Sequence, residues 1–276
     1  MSARKRPSRS YLVLDVETVL DPWLPTRSGD GFPPAPYHQV VTLGVCWFDE
    51  AHELRRFGIV GEGKDEEGVI GDFVRFYQEY RPDLVTWNGR SFEMPVIVAR
   101  CLKYGIPFPS YYGSRELRYR FTNDGHFDLM DYLSDYGASR PAPLDAVAQL
   151  IGLPGKRGVE GRDVGPLVHR GKLADVHAYC LSDVIQTAAL FLRVQLVRGV
   201  LDRPAYRRAT EALLREAGGD PRLAAVVSAV DRERLLLGTD PAPAEEGSLV
   251  EVPITARSEG GVSAEAGETG DDKDEG

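Results

Sequence analysis

Cysteine is scarce in this chain of 276 residues, with only Cys46, Cys101 and Cys180. All three are isolated within largely apolar stretches, so neither a disulfide framework nor a zinc site is expected. No apolar run approaches the ~20 residues of a membrane span. The basic start, Met1–Ser10, lacks a following apolar segment of signal type, which points to the cytoplasm. The five histidines show no ligand spacing, and there is no internal repeat. A basic excess is also missing. The formal net charge is −9, but ten acidic and two basic residues between Pro241 and Gly276 account for −8 of it, leaving −1 for Met1–Asp240. Acidity therefore does not exclude a nucleic-acid partner, yet no pervasive basic field drives tight non-specific binding either.

What remains is an ordinary globular composition, 42% hydrophobic and 27% charged, long enough for a substantial core. Tyr11-Leu12-Val13-Leu14 reads as a strand buried on both faces, and Asp15 and Glu17 follow it. Residues two apart in an extended chain project to the same side, so these two carboxylates stand together at the strand's end. They repel unless something cationic lies between them.

Downstream, Asp21–His38 is a long loop rich in Pro and Gly, with Trp23, Phe32 and Tyr37 as possible stacking surfaces or plain packing. Gln39–Phe48 and Glu53–Val60 are expected to be an antiparallel strand pair. A helix over Asp65–Tyr80 ends at Arg81-Pro82. Asp83–Trp87 is a short strand, and Asn88-Gly89 turns the chain into a helix reaching Tyr104. Pro95 must lie in that helix's first turn, which puts Glu93 at the strand-to-helix junction. Pro107–Asn123 reads as irregular. His126–Met130 is a last strand entering a helix, with Asp128 as its cap. After a short helix at Leu144–Ile151, Gly152–Gly165 reads as a loop. Its Gly152-Leu153-Pro154-Gly155-Lys156 is too short for a phosphate loop, and it reads equally as a loop touching a nucleic-acid backbone through Lys156 and Arg157 or as a plain surface loop. Leu173–Arg198 is the longest helical pattern, and Tyr179 and Asp183 share one face of it. Pro204–Ala217 and Pro221–Leu237 read as two further amphipathic helices. From Pro241 onward the composition is that of a disordered acidic tail. The expected organisation is a flexible basic N-terminus (1–10), one α/β domain (11–240) with a mixed five-stranded sheet flanked by helices, and the tail (241–276).

Asp-Val-Glu after the first strand, Asn-Gly-Arg-Ser-Phe-Glu after a later one, and Tyr-Cys-Leu-Ser-Asp on a late helix occur in that order. Together the set resembles the three exonuclease motifs of the DEDD superfamily, in its tyrosine-bearing branch. It is most similar to stand-alone bacterial 3′–5′ exonucleases related to the proofreading domain of family B DNA polymerases. Leu84–Ile97, His126–Leu133, Gly152–Lys156 and Tyr179–Asp183 carry the likeness, which runs from about Tyr11 to Val200. The resemblance implies a ribonuclease H-like fold and a 3′–5′ exonuclease using two divalent cations, Mg²⁺ or Mn²⁺. Its substrate would be single-stranded nucleic acid with a free 3′ end, taken as DNA, and its products nucleoside 5′-monophosphates. Phosphodiester hydrolysis suits such a pair of ions, about 3.5–4 Å apart, and these metals take carboxylate oxygens. The resemblance makes Asp15 the bridging ligand, with Glu17 and Asp183 at one ion, Glu93 at the other, and Tyr179 orienting the water. Asn88, Arg90 and Lys156 are the candidate substrate contacts. The superfamily has Asp where this chain has Glu93, which leaves Asp128 as an alternative ligand and a catalytically impaired nucleic-acid-binding module as the alternative function.

Overall fold

In the computed structural model the residues described are 9–24, 31–155, 158 and 161–238. All belong to the compact unit that ends at Asp240. The expected tail, most of the basic N-terminus, Lys156 and Arg157 lie outside the described residues.

Five strands form one sheet: β1 (Tyr11–Leu20), β2 (His38–Phe48), β3 (Leu54–Ile59), β4 (Asp83–Thr86) and β5 (His126–Asp128). Their order is β3-β2-β1-β4-β5. β1–β2 and β2–β3 pair antiparallel, while β1–β4 and β4–β5 pair parallel. This is the mixed sheet expected of a ribonuclease H-like fold. The parallel pairing aligns the C-terminal ends of β1, β4 and β5, where sites gather in such sheets.

The helices are α1 (Glu66–Tyr80), α2 (Glu93–Tyr104), α3 (Pro109–Gly113), α4 (Arg115–Arg118), α5 (Leu129–Leu133) and α6 (Leu144–Leu150). They continue with α7 (Gly161–His169), α8 (Leu173–Val197), α9 (Arg203–Gly218), α10 (Ala224–Ser228) and α11 (Arg232–Leu236). Strand alternation divides the core. Leu12, Leu14 and Val16 of β1 pack with residues of α1 and α2 on one face of the sheet. Tyr11 and Val13 pack with Leu181, Val184, Ile185 and Ala188 of α8 on the other. Asp15 and Glu17 keep the parity of Tyr11 and Val13 and so belong to the α8 face.

α8 is long and apolar enough to cross a membrane by length and composition alone. It is instead a core helix, since 83% of its apolar window is buried inside the fold. Two expectations need correction. α7 falls partly within the stretch Gly152–Gly165, read as a loop. Val164 and Leu167 gain a buried cluster with Val176 and Tyr179, and that outweighs the poor helix propensity of Gly165 and Pro166. Pro221–Leu237 is not one helix but a 3₁₀ turn at Pro221–Leu223 followed by α10 and α11. Asp231 interrupts the run and caps α11 by accepting from the Arg234 N–H at 3.0 Å.

Candidate active site

The geometry begins at Gly44 of β2, which faces Asp15 across the antiparallel ladder. A Cβ built at Gly44 would lie 2.9 Å from both Cys180 Sγ and Val184 Cγ2, so only glycine lets α8 press this close to the sheet. The Cys180 thiol donates to the Asp15 carbonyl at 3.5 Å, fastening the helix to β1 at the carboxylate's own residue. One turn along α8, Asp183 is thereby held against the end of β1. The β1–β2 register then shifts between Glu17 and Thr18, leaving Val41 of β2 as the additional residue. A bulge at a strand end re-aims the side chains beside it.

Asp15, Glu17 and Asp183 each offer a carboxylate oxygen, and these oxygens all lie within 4.8 Å of one another. Glu17 and Asp183 are buried, and Asp15 is half-buried. Tyr179 is also buried, on the Asp183 face of α8. Its hydroxyl is pushed far above the ordinary tyrosine range, first by burial and then by the charges of Asp183, Glu17 and Asp15 and a hydrogen bond to Asp183. Burial and these charges all favour the neutral phenol.

Glu93 begins α2, 5% exposed. Burial, then the charge of Asp15 and further those of Asp128 and Asp183, raises its carboxyl well above the usual carboxylate range. Its Oε2 is buried without a hydrogen-bond partner. Glu93 lies outside the 4.8 Å group but within the field of two of its members.

The turn that delivers Glu93 is tightly specified. Thr86 is fully buried, and its hydroxyl pairs with His126 Nε2 at 2.8 Å and accepts from the Gly89 N–H at 3.2 Å. A Cβ at Gly89 would approach that hydroxyl to 2.4 Å, which excludes every other residue. Asn88 adopts the left-handed region at φ 69°, a conformation asparagine tolerates.

Asp128 is the cap that the sequence indicated, and more. Its Oδ1 accepts from the N–H groups of Met130, Asp131 and Asn88, and its Oδ2 from that of Arg90. Four backbone donors thus tie β5 and α5 to the turn before Glu93, and they leave this carboxylate poorly disposed to ligate a metal. Arg90, a candidate substrate contact, spends its guanidinium on three carbonyls: Leu117 at 3.0 Å, Thr122 at 3.1 Å and His126 at 2.5 Å. It works as a clamp within the fold. No sequence signal marks this clamp, because its acceptors are main-chain atoms up to 36 residues away.

The aromatic residues of the Asp21–His38 loop divide. Phe32 stacks on His38 and meets the edge of Phe92, at 4.9 and 5.4 Å between centroids, and remains 76% exposed. Trp23 lies outside, under Lys103 Nζ at 4.5 Å. The Tyr37 carbonyl accepts from the Asp21 N–H at 2.8 Å. Asp21 itself is buried and paired with Arg100 at 2.6 Å and Lys103 at 2.9 Å, so this acid is already neutralised by the protein.

A mixed sheet of ribonuclease H-like order carries carboxylates gathered between the end of its central strand and a long helix, a donor set suited to divalent cations. The chain belongs to the family of predicted 3′–5′ exonucleases related to the exonuclease domain of PolB, whose model matches residues 30–224. That span includes Glu93, Tyr179 and Asp183 and begins after Asp15 and Glu17. A DNA polymerase of Archaeoglobus fulgidus is 25% identical over 188 residues, 66% of this chain and 22% of the polymerase. The chain thus spans less than a quarter of that relative's length. A solved structure, the zinc-bound form of the E. coli ExoI complex with single-stranded DNA, is similar at TM-score 0.34 and 13% identity. It covers 65% of this chain and 43% of that one.

Proposed function

We propose that this protein is a metal-dependent 3′–5′ exonuclease that releases nucleoside 5′-monophosphates from single-stranded nucleic acid, DNA in the first instance. The observation that carries the reading is the meeting of Asp15, Glu17 and Asp183 within 4.8 Å, with the buried Glu93 in the field of Asp15 and Asp183. The donor set suits hard divalent cations, since every candidate ligand is a carboxylate oxygen. The orphaned Glu93 Oε2 fits the same role, as a buried acceptor needs a partner. Asp15, Glu17 and Asp183 would hold one Mg²⁺ or Mn²⁺, and Asp15 with Glu93 a second. What such ions supply when bound is charge neutralisation at phosphorus, activation of water and relief of charge on the departing 3′ oxygen.

The remaining work falls to the chain. Tyr179, held as a neutral phenol beside Asp183, presents a hydroxyl that can orient the attacking water. Gly44 and the Cys180–Asp15 contact fix the spacing of helix and strand, and the Asp128 clamp fixes the turn before Glu93. These are rigid supports, which a site of several carboxylates needs in order to keep its geometry.

The test is product analysis on a 3′-labelled single strand with Mn²⁺ and then Mg²⁺. Mononucleotides released stepwise from the labelled end support the proposal. Retention of the strand in a gel shift with no release in either metal would replace it with the binding-module reading.

A further inference from the structure

The segment before β5 carries chemistry that the carboxylate site does not use. Across α3, α4 and the residues that follow, Tyr112, Tyr119 and Phe121 are 58%, 45% and 59% exposed. Arg115 lies 5.2 Å over the Tyr119 ring, and Arg118 lies 5.7 Å over that of Tyr112. Arg120 is matched by Asp131 at 2.7 Å, whereas among the described residues neither Arg115 nor Arg118 has a carboxylate within ion-pair distance. Phe121 packs on Tyr136, 5.5 Å away between centroids, and the Tyr136 hydroxyl donates to Asn123 at 2.9 Å. Outward-facing rings with unpaired guanidiniums beside them are the two components of a single-strand binding surface. Bases stack on the rings, and arginines meet the phosphates.

The position of this surface matters as much as its composition. Arg90 fastens it through the carbonyls of Leu117 and Thr122, and Glu93 follows three residues later. A cluster of carboxylates repels phosphates, and the chain outside its acidic end carries a net charge of only −1. Affinity for a polyanion therefore has to be local. We propose that α3, α4 and Tyr119–Phe121 form a platform that binds the body of a single-stranded nucleic acid whose 3′ end lies at the carboxylates. The inference rests on the nuclease reading for which end of the strand points inward; its binding test does not.

The experiment uses the full-length chain in EDTA and measures fluorescence anisotropy with labelled strands of roughly twenty nucleotides and with a trinucleotide. The wild type should bind the longer strand more tightly. Arg115→Ala/Arg118→Ala should weaken that binding about tenfold and reduce the salt slope by about 1.4, as two phosphate contacts imply for a single strand. Tyr119→Ala/Phe121→Ala should weaken it about tenfold with the salt slope unchanged, and Tyr119→Phe should bind as the wild type does. Trinucleotide affinity, the thermal melt and Mn²⁺-dependent hydrolysis of a nitrophenyl ester of thymidine 5′-monophosphate should stay the same in all variants.

Unchanged affinity for the long strand, an equal loss for the trinucleotide, or an equal loss for a blunt duplex of the same length would each overturn the platform. A wild type that hydrolyses nothing yet shows this length-dependent binding would sink the exonuclease reading and leave the platform standing.

Discussion

Gly44→Ala tests how the fold sets the spacing of the site, because it touches no candidate ligand. The added methyl would stand 2.9 Å from Cys180 Sγ and Val184 Cγ2. Ordinary contact requires about 3.5–4.0 Å, so helix or strand must give by roughly 0.6–1.1 Å. Neither neighbour can swing aside, since both are fully buried and valine is stiff at χ1. Overpacking of this kind costs about 1–3 kcal/mol, or roughly 2–12 °C in Tm for a domain of this size. The displacement falls between Asp15 and Asp183, and an ångström at a catalytic group costs on the order of a hundredfold in rate. The assay is kcat on a single-stranded oligonucleotide beside a thermal melt. Cys180→Ala/Val184→Ala provides the background in which Gly44→Ala should lose much less turnover, because the obstructing atoms are gone. Wild-type turnover and Tm in the single Gly44→Ala variant would refute the argument that helix contact positions Asp183.

Glu93→Ala should remove nearly all activity and Glu93→Asp should keep or raise it; retained turnover in the alanine variant would take the second ion away from Glu93. Asp128→Ala should lower stability more than turnover, by about 1–3 kcal/mol, because it strands four N–H donors that are buried or partly buried; an inactive but fully stable variant would identify Asp128 as a ligand instead. The metal-free protein should lose stability as pH rises from about 4.3 towards the raised value of Glu93. Over that window the folded state binds the proton that the unfolded state releases, so the slope is negative. Melts in EDTA should show this fall flattened in Glu93→Gln, and an identical pH profile in both proteins would contradict it.

The parts of this molecule set by local pattern were legible in the sequence. Period-two alternation placed Asp15 and Glu17 on one face of β1, helical spacing placed Tyr179 and Asp183 on one face of α8, and Pro95 fixed where α2 begins. The parts set by tertiary contact were not. α7 exists because Val164 and Leu167 find Val176 and Tyr179, despite the glycine and proline between them. The bulge beside Glu17 depends on the β1–β2 register, and the need for glycine at position 44 depends on a helix more than 130 residues away. Arg90 looked like a substrate contact because it sits beside the motif, yet its acceptors are carbonyls that no pattern of side chains reveals.

The most direct test of the central claim compares wild type with Asp15→Asn on a 3′-labelled single strand in Mn²⁺. Asparagine preserves the shape at the end of β1 and removes the charge that both ions are proposed to share. The account predicts nucleoside 5′-monophosphates from the wild type, no detectable release from Asp15→Asn, and an apo Tm for the variant equal to or above that of the wild type, since mutual repulsion among the carboxylates is reduced. Release by Asp15→Asn at the wild-type rate would contradict it.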